Sequence, residues 1–126
     1  MSQSSAIPKI LIADDDLEIQ KMVKAALNSI GADLVFADDG EQALEKLLVE
    51  KPDLVILDVM MPKLTGWEVA KYIRGHDNLK DVKILILTAI GEKVSDATSP
   101  LVGADDHLDK PFTFEELADR VRALLA

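Results

Sequence analysis

The chain has 126 residues, of which 48% are apolar, carries a formal charge of −9 and contains no cysteine. That length and apolar content suit one domain with a substantial core and argue against intrinsic disorder. The composition excludes disulfide frameworks and thiol chemistry, fits a reducing, cytoplasmic setting, and argues against direct nucleic-acid binding, which needs clustered Lys and Arg to neutralise phosphates. Neither a secretory signal nor an apolar run of membrane-spanning length is visible, so no membrane association is expected.

Residues 1–8 read as a flexible arm. Lys9–Ala13 is an apolar strand that runs into Asp14, Asp15 and Asp16. Asp16 is placed to cap a helix whose face carries Ile19, Met22, Val23, Ala26, Leu27 and Ile30, and Gly31 stops it. Asp33–Ala37 is the next strand, followed by a helix over 41–50 with Ala43, Leu44, Leu47 and Leu48 turned inward. Pro52 breaks the chain before Leu54–Asp58, an unalternating Val/Ile/Leu run ending in a carboxylate. Such a run reads as a strand buried on both faces.

Thr65 and Glu68 then have capping-box spacing for a helix that buries Val69, Ala70 and Ile73 and ends near Gly75. A further strand over 82–88 ends in the hydroxyl of Thr88. Residues 92–102 read as a helix, shortened or kinked by Pro100 because proline removes a backbone donor. A short strand over 105–109 leads into Lys110-Pro111. Thr113 and Glu116 cap a last helix that buries Phe114, Leu117, Val121, Leu124 and Leu125. Asp38-Asp39 and Asp105-Asp106 read as solvated turns, Trp67 as packing only, and His76 as a surface residue.

Five strand–helix repeats imply an α/β fold: a doubly wound, five-stranded parallel sheet with five helices on its two faces and right-handed crossovers. All strand C-termini then share one edge, where such sheets bind ligands. Asp14, Asp15, Asp58, Thr88 and Lys110 lie at or just past those ends. Crowded carboxylates repel, so at least one should have a raised pKa unless a cation is bound. Carboxylate and carbonyl oxygens suit Mg²⁺, and a carboxylate can act as a nucleophile toward phosphorus. Transfer of that kind needs charge neutralisation and positioning more than a histidine base.

The ordered set of acidic pair, Leu-Asp-Val-Met-Met-Pro, Leu-Thr-Ala, Gly-Ala-Asp-Asp and Lys-Pro-Phe resembles the receiver domain of bacterial two-component response regulators, from Lys9 to the last residue. The resemblance implies a flavodoxin-like sheet of order 2-1-3-4-5 and a single receiver domain over 1–126, with no effector domain in this chain. It implies Asp58 as phosphoacceptor, Asp15 as a direct Mg²⁺ ligand, Asp14 as one acting largely through water, and the Met60 backbone carbonyl as a third protein ligand. Thr88 would hydrogen-bond the phosphoryl group, Lys110 would pair with one of its oxygens, and Lys110–Pro111 would be cis. The partners it implies are a sensor histidine kinase or phosphotransfer protein, and a downstream target or effector domain. The face built from the helix after the fourth strand, the fifth strand and the last helix would carry output, including dimers that depend on phosphorylation.

Three departures from the family pattern bear on function. His107 stands where relatives often carry an aromatic switch residue, and its protonation would bias the switch. Met60 and Ile90 flank the route of hydrolytic water, where apolar groups imply a long-lived phosphoryl group. Pro100 shortens or remodels a helix of the output face. Two rival readings are a pseudo-receiver that binds partners without phosphorylation, disfavoured by the intact residue set, and an aspartyl-nucleophile phosphatase. The latter needs a second carboxylate two residues after the nucleophile, where this chain has Met60.

Overall fold

The computed structural model describes residues 7–88 and 103–126. Its centre is β3 (Leu54–Asp58), all five residues of which are buried, as an unalternating apolar run requires when helices cover both faces. On one side β3 pairs with β1 (Lys9–Ala13), and β1 pairs with the edge strand β2 (Asp33–Ala37). On the other side it pairs with β4 (Lys83–Thr88), which pairs with β5 (Asp106–Asp109). Every pairing is parallel, and the order is 2-1-3-4-5. This is the expected doubly wound, flavodoxin-like topology.

The described helices are α1 (Leu17–Leu27), α2 (Gly40–Glu50), α3 (Gly66–Arg74) and α4 (Phe114–Leu125). Side chains alternate across a strand, so each strand feeds two cores. Ile10, Ile12, Leu54, Ile56, Leu85, Leu87 and Leu108 pack with Val23 and Leu27 of α1 and Leu117 and Val121 of α4. Leu11, Val55, Leu57, Ile84 and Ile86 pack instead with Ala43 and Leu47 of α2 and Val69, Ala70 and Ile73 of α3. The expected helix over 92–102, with Ile90 and Pro100 beside and within it, lies outside the described residues.

Local signals behave as their chemistry dictates. Asp16 caps α1 by accepting from the Glu18 N–H, and Gly31 takes the left-handed conformation just past a short 3₁₀ turn. Thr65 and Thr113 both form complete capping boxes, with Glu68 and Glu116 respectively. Two expected core residues are corrected. Leu48 is 50% exposed because the α2 stripe facing the sheet runs through Gly40, Ala43 and Leu47, which leaves Leu48 on the flank. Phe114 is 47% exposed because it opens the first turn of α4, one turn before the buried Leu117.

The Asp105-Asp106 pair also does more than a solvated turn would. Arg74, at the end of α3, donates to the carbonyls of Gly103 (2.8 Å), Lys80 (3.1 Å) and Val82 (2.8 Å), and to the Asp105 carboxylate (2.7 Å). The same Asp105 oxygen accepts from the Ile84 N–H at 2.8 Å, so one guanidinium ties the entries of β4 and β5 together. Gly103 is required here. Its φ is +77°, and a Cβ would meet the Arg74 side chain at 2.5 Å. Asp106 accepts from Arg120 of α4 at 3.0 Å. Arg74→Ala leaves several partly buried acceptors unsatisfied and should cost about 2–3 kcal/mol in urea unfolding. Lys71→Ala on the exposed side of α3 is the near-neutral comparison.

Candidate functional site

The site is assembled from strand ends. Asp14 directly follows β1, Asp58 ends β3, Thr88 ends β4 and Lys110 directly follows β5. Backbone hydrogen bonds carry the register one step past the sheet: Asp14 N–H donates to Ala37 O (3.1 Å), Val59 N–H to Leu87 O (3.1 Å) and Lys110 N–H to Thr88 O (2.6 Å). Gly66, at the start of α3, donates to Val59 O at 3.0 Å. A Cβ at Gly66 would lie 2.5 Å from the Asp58 carbonyl oxygen, so only glycine lets α3 begin this close to the site. The peptide bond Lys110–Pro111 is cis, as expected.

Lys110 holds the centre. Its Nζ lies 3.1 Å from Asp58 Oδ1 and 3.2 Å from Asp14 Oδ2. Asp14 is fully buried and Asp58 only 5% exposed. The second oxygen of Asp14 accepts from the Asp16 N–H at 2.9 Å, so both of its oxygens already have protein donors. Burial pushes the Asp58 carboxyl up to about 6, the Asp14 charge adds to that, and Lys110 opposes it. Burial also raises Asp14, against the Asp16 N–H and Lys110. Burial pulls the Lys110 ammonium down, but Asp14 and Asp58 outweigh it and its net direction is up. The expected rise in a carboxylate pKa holds in direction, with burial the larger cause and repulsion between the carboxylates the smaller one.

The arrangement fits a small divalent cation. Asp14, Asp15 and Asp58 can each offer an oxygen such that all lie within 4.8 Å of one another. Asp15 is exposed and the Asp58 oxygen not used by Lys110 accepts no hydrogen bond among the described residues, so these two can ligate directly. Asp14, with both oxygens engaged, suits a role through water. Oxygen donors with room for water and a phosphoryl oxygen match Mg²⁺.

Three residues whose roles sequence reasoning missed belong to this edge. Gln20 of α1 donates through Nε2 to Asp14 O (2.7 Å) and Asp38 Oδ1 (2.9 Å), locking the loop after β1 to the loop after β2. Asp39, also read as a solvated turn, caps α2 by accepting from the Gln42 N–H. The other residue that matters is Asp109. Thr88 is fully buried, and its hydroxyl donates to Asp109 Oδ1 at 2.5 Å. No local signal marks Asp109, since an exposed Asp before Lys-Pro reads as solvated. Only the β4–β5 register brings it opposite Thr88. His107 sits opposite Ile86 in the same register and is half-buried, with its carbonyl held by Arg120 at 2.7 Å. Met60 is 63% exposed in the loop after β3.

A parallel α/β sheet of this order, with two buried carboxylates, a lysine between them and a strand-end threonine on one edge, defines the receiver class of α/β proteins. The chain belongs to the response regulator receiver domain family, whose family model matches residues 10–122. It is a receiver domain of two-component response regulators, a signalling domain and not a conventional enzyme.

Among curated proteins, it is 44% identical over 117 residues to the probable transcriptional regulator ycf27 of Cyanophora paradoxa, covering 93% of this chain and 48% of that protein. It is 43% identical over 118 residues to response regulator MprA of Mycobacterium tuberculosis, covering 93% of this chain and 50% of that one. Among solved structures, a putative response regulator from Chloroflexus aurantiacus superposes with a TM-score of 0.88 at 35% identity, covering 95% of this chain and 98% of that one. Chemotaxis response regulator CheY4 of Vibrio cholerae gives 0.87 at 34%, covering 94% and 99%. The chain spans about half the length of the curated relatives it matches. Some of those longer proteins are named transcriptional regulators. The expectation of no nucleic-acid contact is drawn from the charge of these 126 residues and does not extend to those longer relatives.

The raised Asp58 pKa has a sign that can be checked. With the unfolded value near 3.8 and the folded one near 6, the neutral carboxyl favours the fold. That contribution is fully present below about 3.8 and is lost as pH rises through about 6. In chelator, Asp58→Asn should therefore match the parent's stability near pH 4 and exceed it near pH 7.5, by on the order of 1–3 kcal/mol. Calorimetric melts across that range read the difference directly.

Proposed function

We propose that the chain is a phosphoacceptor switch in which Asp58 takes a phosphoryl group from the phosphohistidine of a sensor histidine kinase or phosphotransfer protein. The observation that carries this reading is the buried Asp58 carboxylate, held 3.1 Å from the Lys110 ammonium with Asp14 and Asp15 oxygens within reach. An oxygen of Asp58 attacks phosphorus, the P–N bond to the donor imidazole breaks, and the imidazole leaves with the electron pair. Lys110, freed from Asp58 Oδ1, pairs with a phosphoryl oxygen and offsets its charge. Asp15, Asp58 and the Met60 carbonyl, with Asp14 through water, would hold Mg²⁺, whose charge neutralises the transferring oxygens when bound.

Burial of the acceptor serves this chemistry. The closed surroundings strengthen each charge–charge contact and leave the Lys110 amine already aimed, so little reorganisation is needed as charge develops. The new dianionic group then favours a conformation in which Thr88 and His107 differ from their present positions. Such a change works by population shift and requires differential contacts in the two states. Its readers would be a downstream protein target or an effector domain.

Incubation with acetyl phosphate and Mg²⁺ should give one phosphoryl adduct by intact mass, absent without Mg²⁺ and absent in Asp58→Asn. No adduct from either acetyl phosphate or candidate histidine kinases would leave a phosphorylation-independent interaction module as the better reading. Met60, exposed beside the acceptor, offers no polar group to position water. Met60→Asn should accordingly shorten the adduct's lifetime severalfold after donor removal, as followed by intact mass over time.

A further inference from the structure

We propose that Asp109 is a built-in competitor of the phosphoryl group for the Thr88 hydroxyl, holding the switch threonine in its unphosphorylated position. This rests on the reading of Asp58 as acceptor and Thr88 as its hydrogen-bonding partner, and it adds a residue to that switch.

Thr88 has one hydroxyl proton to donate. It is spent on the Asp109 carboxylate, and Thr88 is fully buried. Register explains the geometry. Asp58 lies opposite Leu87, one residue before Thr88, and side chains on a strand alternate between faces. Asp58, Leu87, Asp14 and Lys110 therefore belong to the α1–α4 side of the sheet, as the Lys110 ion pairs require. Thr88 and Asp109 are cross-strand neighbours on the α2–α3 side, with His107 in the same row. Asp109 thus holds the hydroxyl on the face away from the acceptor.

A hydrogen bond to an ionised acceptor is about twice as strong as one between neutral groups, so the hold is substantial. The exposed Asp109 carboxylate stays hydrated when the hydroxyl leaves it, so release exposes no buried unpaired charge. Both features suit a latch that phosphorylation can open. The phosphoryl oxygens must outcompete Asp109 for one proton, and Asp109 sets how much of the phosphoryl group's interaction is used in switching.

The test is beryllofluoride binding to the full chain at saturating Mg²⁺, read by calorimetry, in a double-mutant cycle of Asp109→Ala and Thr88→Ala. Asp109→Ala should tighten beryllofluoride roughly tenfold in the parent, the scale of one hydrogen bond to a charged group. The same change should have little effect in the Thr88→Ala background, and Asp109→Asn, a weaker acceptor, should fall between. An equal gain in both backgrounds would assign the effect to the lost charge alone and overturn the latch. No gain in the parent would also overturn it. Absence of beryllofluoride binding in the parent, unchanged by Asp58→Asn, would instead remove the phosphoacceptor reading and the latch with it.

Discussion

Everything at the functional edge depends on one ammonium group shared by two buried carboxylates. Asp14 is fully buried and Asp58 nearly so, and the amine of Lys110, about 3 Å from each, offsets part of the cost of burying their charges. The compensation is incomplete, and both carboxyls remain raised by burial. That residue of unfavourable charge is what a bound cation would relieve. A carboxylate pair that is poorly neutralised in the resting protein gains from a divalent ion, whose charge would offset both members.

The sheet then divides labour between its two faces. Asp58, Lys110 and Asp14 belong to the side covered by α1 and α4, while Thr88, Asp109 and His107 fall in one row on the other side. A single residue step along β4 separates the two sets. In the proposed switch, movement of Thr88 toward Asp58 would be a movement around a strand end, away from the Asp109 side. The strand end would thereby link a phosphoryl group on Asp58 to packing on the opposite face.

The opposite edge of the sheet is built for rigidity. Arg74 gathers three carbonyls and the Asp105 carboxylate, and Asp105 in turn takes the Ile84 N–H, so β4 and β5 enter the sheet as a tied pair. The entries of β4 and β5 are thus fixed by hydrogen bonds, while the charged groups gather at the strand exits. The left-handed conformation of Lys63 in the loop after β3 places backbone strain at the site's edge as well.

The unalternating apolar runs and the glycines, prolines and capping boxes between them determined the strand–helix alternation, because those preferences are local and act over a few residues. They placed the β3 strand with its terminal Asp58, and the two capping boxes at Thr65 and Thr113, where the structure has them. The same patterns brought Asp14, Asp58, Thr88 and Lys110 to one edge, since parallel strands must share their C-terminal ends. Side-chain identity alone could not reveal what each charge touches. Asp105 and Asp109 are both short acidic residues in a polar stretch, yet one anchors Arg74 from α3 and the other holds the Thr88 hydroxyl. Leu48 and Phe114 fit the helical pattern but sit beyond the width and length of the sheet they would cover. Register and the extent of a neighbouring surface are relations between distant segments, and only the assembled sheet decides them.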